Sequence, residues 1–90
     1  MVFERQGNWK MLMQDLTIYL KSGDKLSLVF EAEKADELHP QIEAFFKALN
    51  YWKNSIGSFR FEGECEAFIL LSDVSAAKVN RFERNVESIY

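Results

Sequence analysis

The sequence has only one cysteine and one histidine among its 90 residues. A single cysteine excludes an internal disulfide, and one cysteine with one histidine is too few for the usual zinc sites. The four glycines stand apart from one another, so the sequence contains no glycine-rich phosphate-binding loop. These shortages argue against a metal, a nucleotide or any other cofactor, and we expect none.

Long apolar runs are also absent. The longest is the five-residue run Ala67–Leu71, whereas a membrane-spanning helix needs about 18 or more consecutive apolar residues. Charged residues such as Glu4, Lys10 and Asp15 interrupt the first twenty positions, so no signal-peptide core is predicted there. With its only thiol unpaired, the chain is expected to be cytoplasmic and to have no membrane partner.

Positive charge is scarce: 11 Lys and Arg against 14 Asp and Glu give a formal net charge of −3. Phosphate binding needs clustered Lys and Arg, so nucleic acid is not the default partner. The chain is 48% hydrophobic and holds eight Phe, two Trp and three Tyr, which excludes an intrinsically disordered protein. At this length we expect one domain, residues 1–90, with one modest core.

Two segments predict a β-hairpin near the amino terminus. Leu16–Lys21 and Leu26–Ala32 both alternate apolar and polar residues, and Gly23 in the short connection suits a tight turn. A second hairpin is predicted from the alternation in Ser58–Glu62 and the return strand Cys65–Leu71.

A helix is predicted between the hairpins, over about residues 39 to 52. Pro40 suits a first helical turn. The apolar residues that follow a 3.6-residue period are Leu38, Ile42, Phe45, Phe46, Leu49 and Trp52.

The two ends of the chain are less clearly patterned. Val79, Phe82, Val86 and Ile89 are three or four residues apart, which favours a helix over residues 76–88, with a strand over 76–82 as the alternative. Residues 1–13 are interpreted as a peripheral strand, because Trp9, Met11 and Met13 alternate, or as a dispensable segment.

The predicted fold is therefore α+β: a small antiparallel sheet of four to five strands, ordered β-β-α-β-β along the chain plus a carboxy-terminal helix or strand. The amphipathic helix packs on one face of that sheet. The side chains expected toward the helix are Leu16, Ile18, Leu20, Leu26, Leu28, Phe30, Phe59, Phe61, Cys65, Ala67, Ile69 and Leu71.

The opposite face of the predicted sheet is too apolar to be left to water. Tyr19, Val29, Phe68 and Leu70 fall on it, and exposed apolar patches of this kind usually mark a contact surface. Either the carboxy-terminal segment covers this face, or a second copy or a different protein does. The resulting hypothesis is a non-enzymatic protein–protein interaction or assembly module, working as a homo-oligomer, with a dimer favoured.

The residues that most often carry catalysis have simpler structural interpretations here. Cys65 lies between Glu64 and Glu66, which disfavour its thiolate, so a buried apolar role is expected. His39 precedes Pro40 at the predicted helix start, with no acid or nucleophile nominated beside it, and is interpreted as a capping or surface residue. We therefore expect no enzyme activity.

An alternative function is that of an accessory protein that binds single-stranded nucleic acid. Trp52, Lys53 and Arg60 would supply stacking and positive charge, with Arg60 set between two phenylalanines on a strand. Against this hypothesis, Phe59 and Phe61 share the face that the core needs.

The stretches Leu16–Gly23 and Ile69–Ala76 resemble a pattern found in short uncharacterised proteins of prophages and integrated elements in Gram-positive bacteria. The resemblance covers about a quarter of the chain. It implies a cytoplasmic accessory protein, with oligomerisation as one option and no activity to carry over. It also implies that the segment after Ser72-Asp73-Val74-Ser75 is a strand.

Overall fold

A computed structural model of the chain describes residues 8–51, 57–63 and 66–87. The described elements are strand β1 (Asn8–Leu20), strand β2 (Lys25–Ala32), helix α1 (Pro40–Tyr51), strand β3 (Ser58–Phe61), strand β4 (Ala67–Leu70), a short 3₁₀ turn (Leu71–Asp73) and strand β5 (Val74–Glu87).

The strands form two antiparallel sheets. Sheet A has the order β2-β1-β5, and sheet B consists of β3 and β4. The prediction of a small α+β fold with one helix and antiparallel strands is confirmed, but the single sheet of four to five strands is wrong. The central strand β1 pairs with β2 on one side and with β5 on the other, and the short β3–β4 hairpin does not join this sheet but packs as a separate layer.

The first hairpin forms as predicted. β1 and β2 pair from Leu12 with Ala32 to Tyr19 with Lys25. Gly23 adopts a φ of 103° in the connection, a conformation that glycine reaches without steric cost. Its N–H donates to the carbonyl of Leu20 at 3.0 Å, which closes the turn.

The carboxy-terminal segment is a strand, so the prediction of a helix over 76–88 is wrong and the strand alternative holds. β5 pairs with β1 along its length, from Leu20 with Val74 to Asn8 with Glu87. Val79 and Phe82, three apart, suit one helical face, but in a strand that spacing places them on opposite faces. As a strand, β5 supplies hydrogen-bond partners to the backbone groups on the second side of β1, and a helix over residues 76–88 would not.

The 3₁₀ turn and an irregularity in the ladder join β5 to the rest of the fold. The register between β1 and β5 shifts between Tyr19 and Leu20. At this point the hydroxyl of Ser75 donates to the carbonyl of Tyr19 at 3.1 Å, and the Lys21 N–H donates to the Asp73 carbonyl at 2.7 Å. These bonds fix where the chain enters β5.

Residues 8–13 belong to β1, whereas residues 1–7 lie outside the described part of the chain. β1 extends beyond its pairing with β2, which ends at Leu12, and continues as a two-stranded ribbon with β5. The molecule is elongated: its extents are 54 × 23 × 19 Å and its radius of gyration is 16.2 Å, against about 12 Å for a compact chain of this length.

The core lies between one face of sheet A and the layer formed by α1 and sheet B. Its centre is a group of aromatic rings: Phe45 lies 5.2 Å from Phe61 and 5.4 Å from Phe59 between ring centroids. The predicted core is confirmed for every described member, and Cys65 lies outside the described residues. The buried residues of this cluster are Leu16, Ile18, Leu28, Ile42, Phe45, Phe61, Ile69 and Leu71.

Replacing Phe45 with alanine should destabilise the fold by about 3–5 kcal/mol, because the ring is fully buried and its loss leaves a cavity among rigid neighbours. The measurement is urea unfolding followed by circular dichroism. Phe68→Ala is the matched control, since that ring is 64% exposed. Equal losses in the two variants would contradict this assignment of the core.

Candidate functional site

The four residues predicted as one interface lie on two separate surfaces. Tyr19 and Val29 are on the face of sheet A that is turned away from α1, which we call the open face. Phe68 and Leu70 are on the outer side of sheet B, 64% and 50% exposed, while Ile69 between them is buried. Because the strands do not form one sheet, the two pairs of residues do not form one patch.

The open face of sheet A spans three strands, against two for the outer side of sheet B. No element of the described chain covers it, yet Val29 is 50% exposed and Phe82 41% exposed on it. Met13 lies in register with Phe82 and is itself buried, because it sits in the central strand between flanking side chains. The open face is therefore partly apolar, as the sequence predicted for the second face of its sheet.

The positions of Phe82 and Met13 correct two expectations from the sequence. Phe82 does not cover this face from a carboxy-terminal helix but belongs to the sheet itself, in the strand that was the alternative. Met13 lies in the central strand β1, not in a peripheral strand or a dispensable segment. Their common position follows only from the register of β1 with β5. The alternation of Met11 and Met13 was the only sequence pattern that indicated a strand at the end of the open face where Phe82 lies.

Charged residues frame the apolar part of the open face. Lys25 and Glu31 lie at opposite ends of β2, on the same face as Val29. At the centre, opposite Val29, the carboxylate of Asp15 has one oxygen, Oδ1, that is buried and accepts no hydrogen bond within the described part of the chain.

The two outer strands of sheet A differ in the charge that they carry. Within the described residues, neither β2 nor β5 pairs with a further strand on its outer side. β5 carries Lys78, Arg81, Glu83 and Arg84 along its length, and charges of this kind commonly protect an edge strand from pairing. The middle of β2, Leu26–Phe30, has no charge.

A groove of about 660 Å³ runs beside β2. The strand contributes Ser27–Glu31, and the opposite wall includes His39, Gln41, Glu62 and Gly63. The lining also includes Met11, Met13 and Arg84 on the open face. The groove therefore extends from the open face past the outer edge of sheet A to the loops that begin α1 and follow β3.

Two glutamines hold this wall in place. The buried Gln14 of β1 donates from Nε2 to the carbonyl of Glu37 at 2.7 Å and accepts the His39 N–H at 2.8 Å. Gln41 donates from Nε2 to the carbonyl of Glu62 and accepts the Glu62 N–H, both at 2.8 Å. The loop before α1 and the end of β3 are thus fastened to the rest of the fold, and neither glutamine was singled out from the sequence.

His39 caps helix α1, so its interpretation as a capping residue is confirmed. Its Nδ1 accepts the N–H of Gln41 at 3.1 Å, and its ring lies against Phe30 with 4.6 Å between ring centroids. Burial lowers the pKa of His39 from its usual value of 6.5, because desolvation disfavours the charged ring.

Of the three residues of the nucleic-acid hypothesis, only Arg60 lies within the described part of the chain. Arg60 is exposed on the outer side of sheet B and pairs in register with Phe68. Phe61 is fully buried, and Phe59 packs against the core. Trp52 and Lys53 lie outside the described residues.

No helix among residues 8–51, 57–63 and 66–87 is long and apolar enough to cross a membrane. Over the same ranges, no group of three or more His, Cys, Asp or Glu side chains is placed to hold a metal ion. Comparison of the chain with protein-family models, with curated proteins and with solved structures found no match.

The lowered pKa of His39 predicts a pH dependence of stability. The unfolded chain binds a proton at about pH 6.5 more readily than the folded chain does, so stability should be constant well above pH 6.5 and fall as the pH drops below it. Protonation of Nδ1 would also remove the acceptor for Gln41. Urea unfolding midpoints from about pH 8 to about pH 5 measure this dependence.

His39→Asn is the matched control, because its side-chain oxygen can cap the helix without titrating in this range. The variant should show a flatter profile than the wild type. An identical profile in both proteins would assign the pH dependence to other groups.

Proposed function

We propose that the protein is a non-enzymatic assembly module that works as a homo-oligomer, with a dimer favoured, and that sheet A provides its contact surface. The observation that carries this proposal is the half-exposed Val29 at the outer row of β2, on a sheet face that no described element covers. Apolar side chains in such a position gain stability when a partner removes them from water, at about 25 cal/mol per Å² buried.

Sheet A is preferred to sheet B because it offers two kinds of contact. Its open face presents apolar side chains, and its outer strand β2 presents unpaired backbone groups. Val29 belongs to both, since it lies on the open face and in β2. Phe68 and Leu70 of sheet B offer only two exposed side chains on a four-residue strand.

The mass in solution, measured by light scattering behind a sizing column at low and high salt, tests the proposal. We expect a dimer, twice the 10.5 kDa of the chain, that persists at high salt because apolar contacts and backbone hydrogen bonds are not screened. A monomer at about 100 µM and both salt concentrations would contradict the assembly function.

A pair of variants tests which sheet makes the contact. Val29→Lys should weaken association about tenfold or more, because it places a charge at the proposed contact. The fold should be retained, because the new ammonium faces Asp15 within its own sheet. Phe68→Glu places a charge on sheet B and should leave the mass unchanged. The reverse pattern would move the interface to sheet B.

A second candidate function is the binding of single-stranded nucleic acid on the outer side of sheet B. The observation in its favour is the guanidinium of Arg60 in register with the exposed ring of Phe68, since bases stack on aromatic rings beside positive charge. The net charge of −3 works against it.

Fluorescence polarisation of a labelled single-stranded oligonucleotide at about 50 mM salt tests this candidate. If the protein binds, Arg60→Ala and Phe68→Ala should each reduce affinity several-fold, and Lys47→Ala on α1 should not. The absence of a polarisation change with the wild-type protein would exclude this function.

A further inference from the structure

We propose that β2 pairs edge to edge with β2 of a second copy, in antiparallel orientation, with Leu28 opposite Leu28. This inference rests on the proposed assembly function and names the contact that makes the dimer. Such pairing would join two copies of sheet A into one six-stranded antiparallel sheet, with the order β5-β1-β2-β2-β1-β5.

The choice of β2 over β5 follows from the charges on the two strands. An exposed edge with several charged side chains resists pairing, and β5 has four of them between Lys78 and Arg84. In β2 the residues Leu26–Phe30 are uncharged, and they include leucine, valine and phenylalanine, which suit an extended backbone. The edge of β2 is thus the less protected of the two.

Symmetry restricts the register of this pairing. Residues that face each other across an antiparallel ladder must have side chains on the same side of the sheet. In a symmetric pair of identical strands, one residue therefore faces itself, and its neighbours pair in mirror order. With Leu28 at the centre, Ser27 faces Val29 and Leu26 faces Phe30 of the second copy.

The charges of β2 select this register. Lys25 and Glu31 lie on the same face and are equally distant from Leu28, so each would face the other residue on the second copy, at both ends of the contact. Within the described chain neither Lys25 nor Glu31 makes an ion pair; the three pairs present are Lys10–Glu83, Lys34–Glu37 and Lys47–Glu43. The neighbouring registers lack this charge match. Centring the pairing on Ser27 would place Lys25 opposite the uncharged Val29, and centring it on Val29 would place Glu31 opposite the uncharged Ser27.

The groove beside β2 leaves room for the incoming strand. It follows Ser27–Glu31, the part of the edge that the second copy would occupy. Its far wall, at His39, Gln41 and Glu62, is held by the hydrogen bonds of Gln14 and Gln41, so the space is kept open rather than closed by a loose loop.

A charge exchange tests the register. Lys25→Glu and Glu31→Lys each create two like-charge contacts per dimer, so each should weaken association about tenfold or more. The double variant Lys25→Glu/Glu31→Lys restores both opposite-charge contacts and should return the dissociation constant to within about threefold of the wild-type value. Both side chains are exposed, and circular dichroism confirms that each variant is folded.

Two matched controls separate the edge from the face. Lys78→Glu makes the same charge change on β5 and should leave the mass unchanged. Phe82→Glu places a charge on the open face two strands away from the proposed contact, and it should also leave the dimer intact. Analytical ultracentrifugation gives the dissociation constant of every variant under one buffer condition.

Cross-linking provides a second, independent measurement. In a Cys65→Ser background, Lys25→Cys and Glu31→Cys proteins mixed under oxidising conditions should form a disulfide-linked dimer. Either protein alone should not, because each new cysteine then faces a charged residue rather than another cysteine.

The possible failures are distinct. A wild-type monomer would overturn both this inference and the proposed function. A wild-type dimer that resists the single charge changes but dissociates with Phe82→Glu would overturn the inference and leave the assembly function, with the open faces in contact. A dimer that the single variants disrupt and the exchange does not restore would overturn the register.

Discussion

The pairing of β1 on both sides is the constraint that arranges this molecule. Along Leu12–Tyr19, the backbone of β1 is flanked by β2 on one side and by β5 on the other. The β3–β4 hairpin pairs with neither outer strand of sheet A and instead stacks on one face of that sheet, with α1 beside it. One face of sheet A is therefore covered and the other is left open.

The parts of the fold that sequence reasoning predicted are those set by short-range patterns. The β1–β2 hairpin follows from alternation around Gly23, and helix α1 follows from the spacing of Ile42, Phe45 and Leu49. β5 could not be predicted in this way. The spacing of Val79 and Phe82 fits a helix locally, and only the unfilled side of β1, which lies far away in the sequence, makes the strand the better solution.

For the candidate surface too, the sequence predicted the residues of the local hairpin and missed those placed by long-range pairing. Val29 and Tyr19 belong to the predicted hairpin, so their common face was correct. Phe82 lies on that face because β5 pairs with β1, which the local pattern did not indicate. Phe68 does not lie on it, because β4 belongs to sheet B. Gln14 was missed for a related reason: a polar residue in an alternating strand gives no sign that it will hold a loop more than twenty residues away.

The pairing of β1 with β5 also sets the order in which the chain can fold. Asn8 pairs with Glu87, so this ladder closes almost the whole length of the chain, and contacts so distant in sequence form slowly. During synthesis the β1–β2 hairpin is complete once Ala32 has emerged, but β1 waits for its second partner while residues 33–87 are made. At ~5–20 residues per second that wait lasts roughly 3 to 11 s. For that interval a newly made chain carries a central strand with one unpaired edge, which another strand could pair with in place of β5.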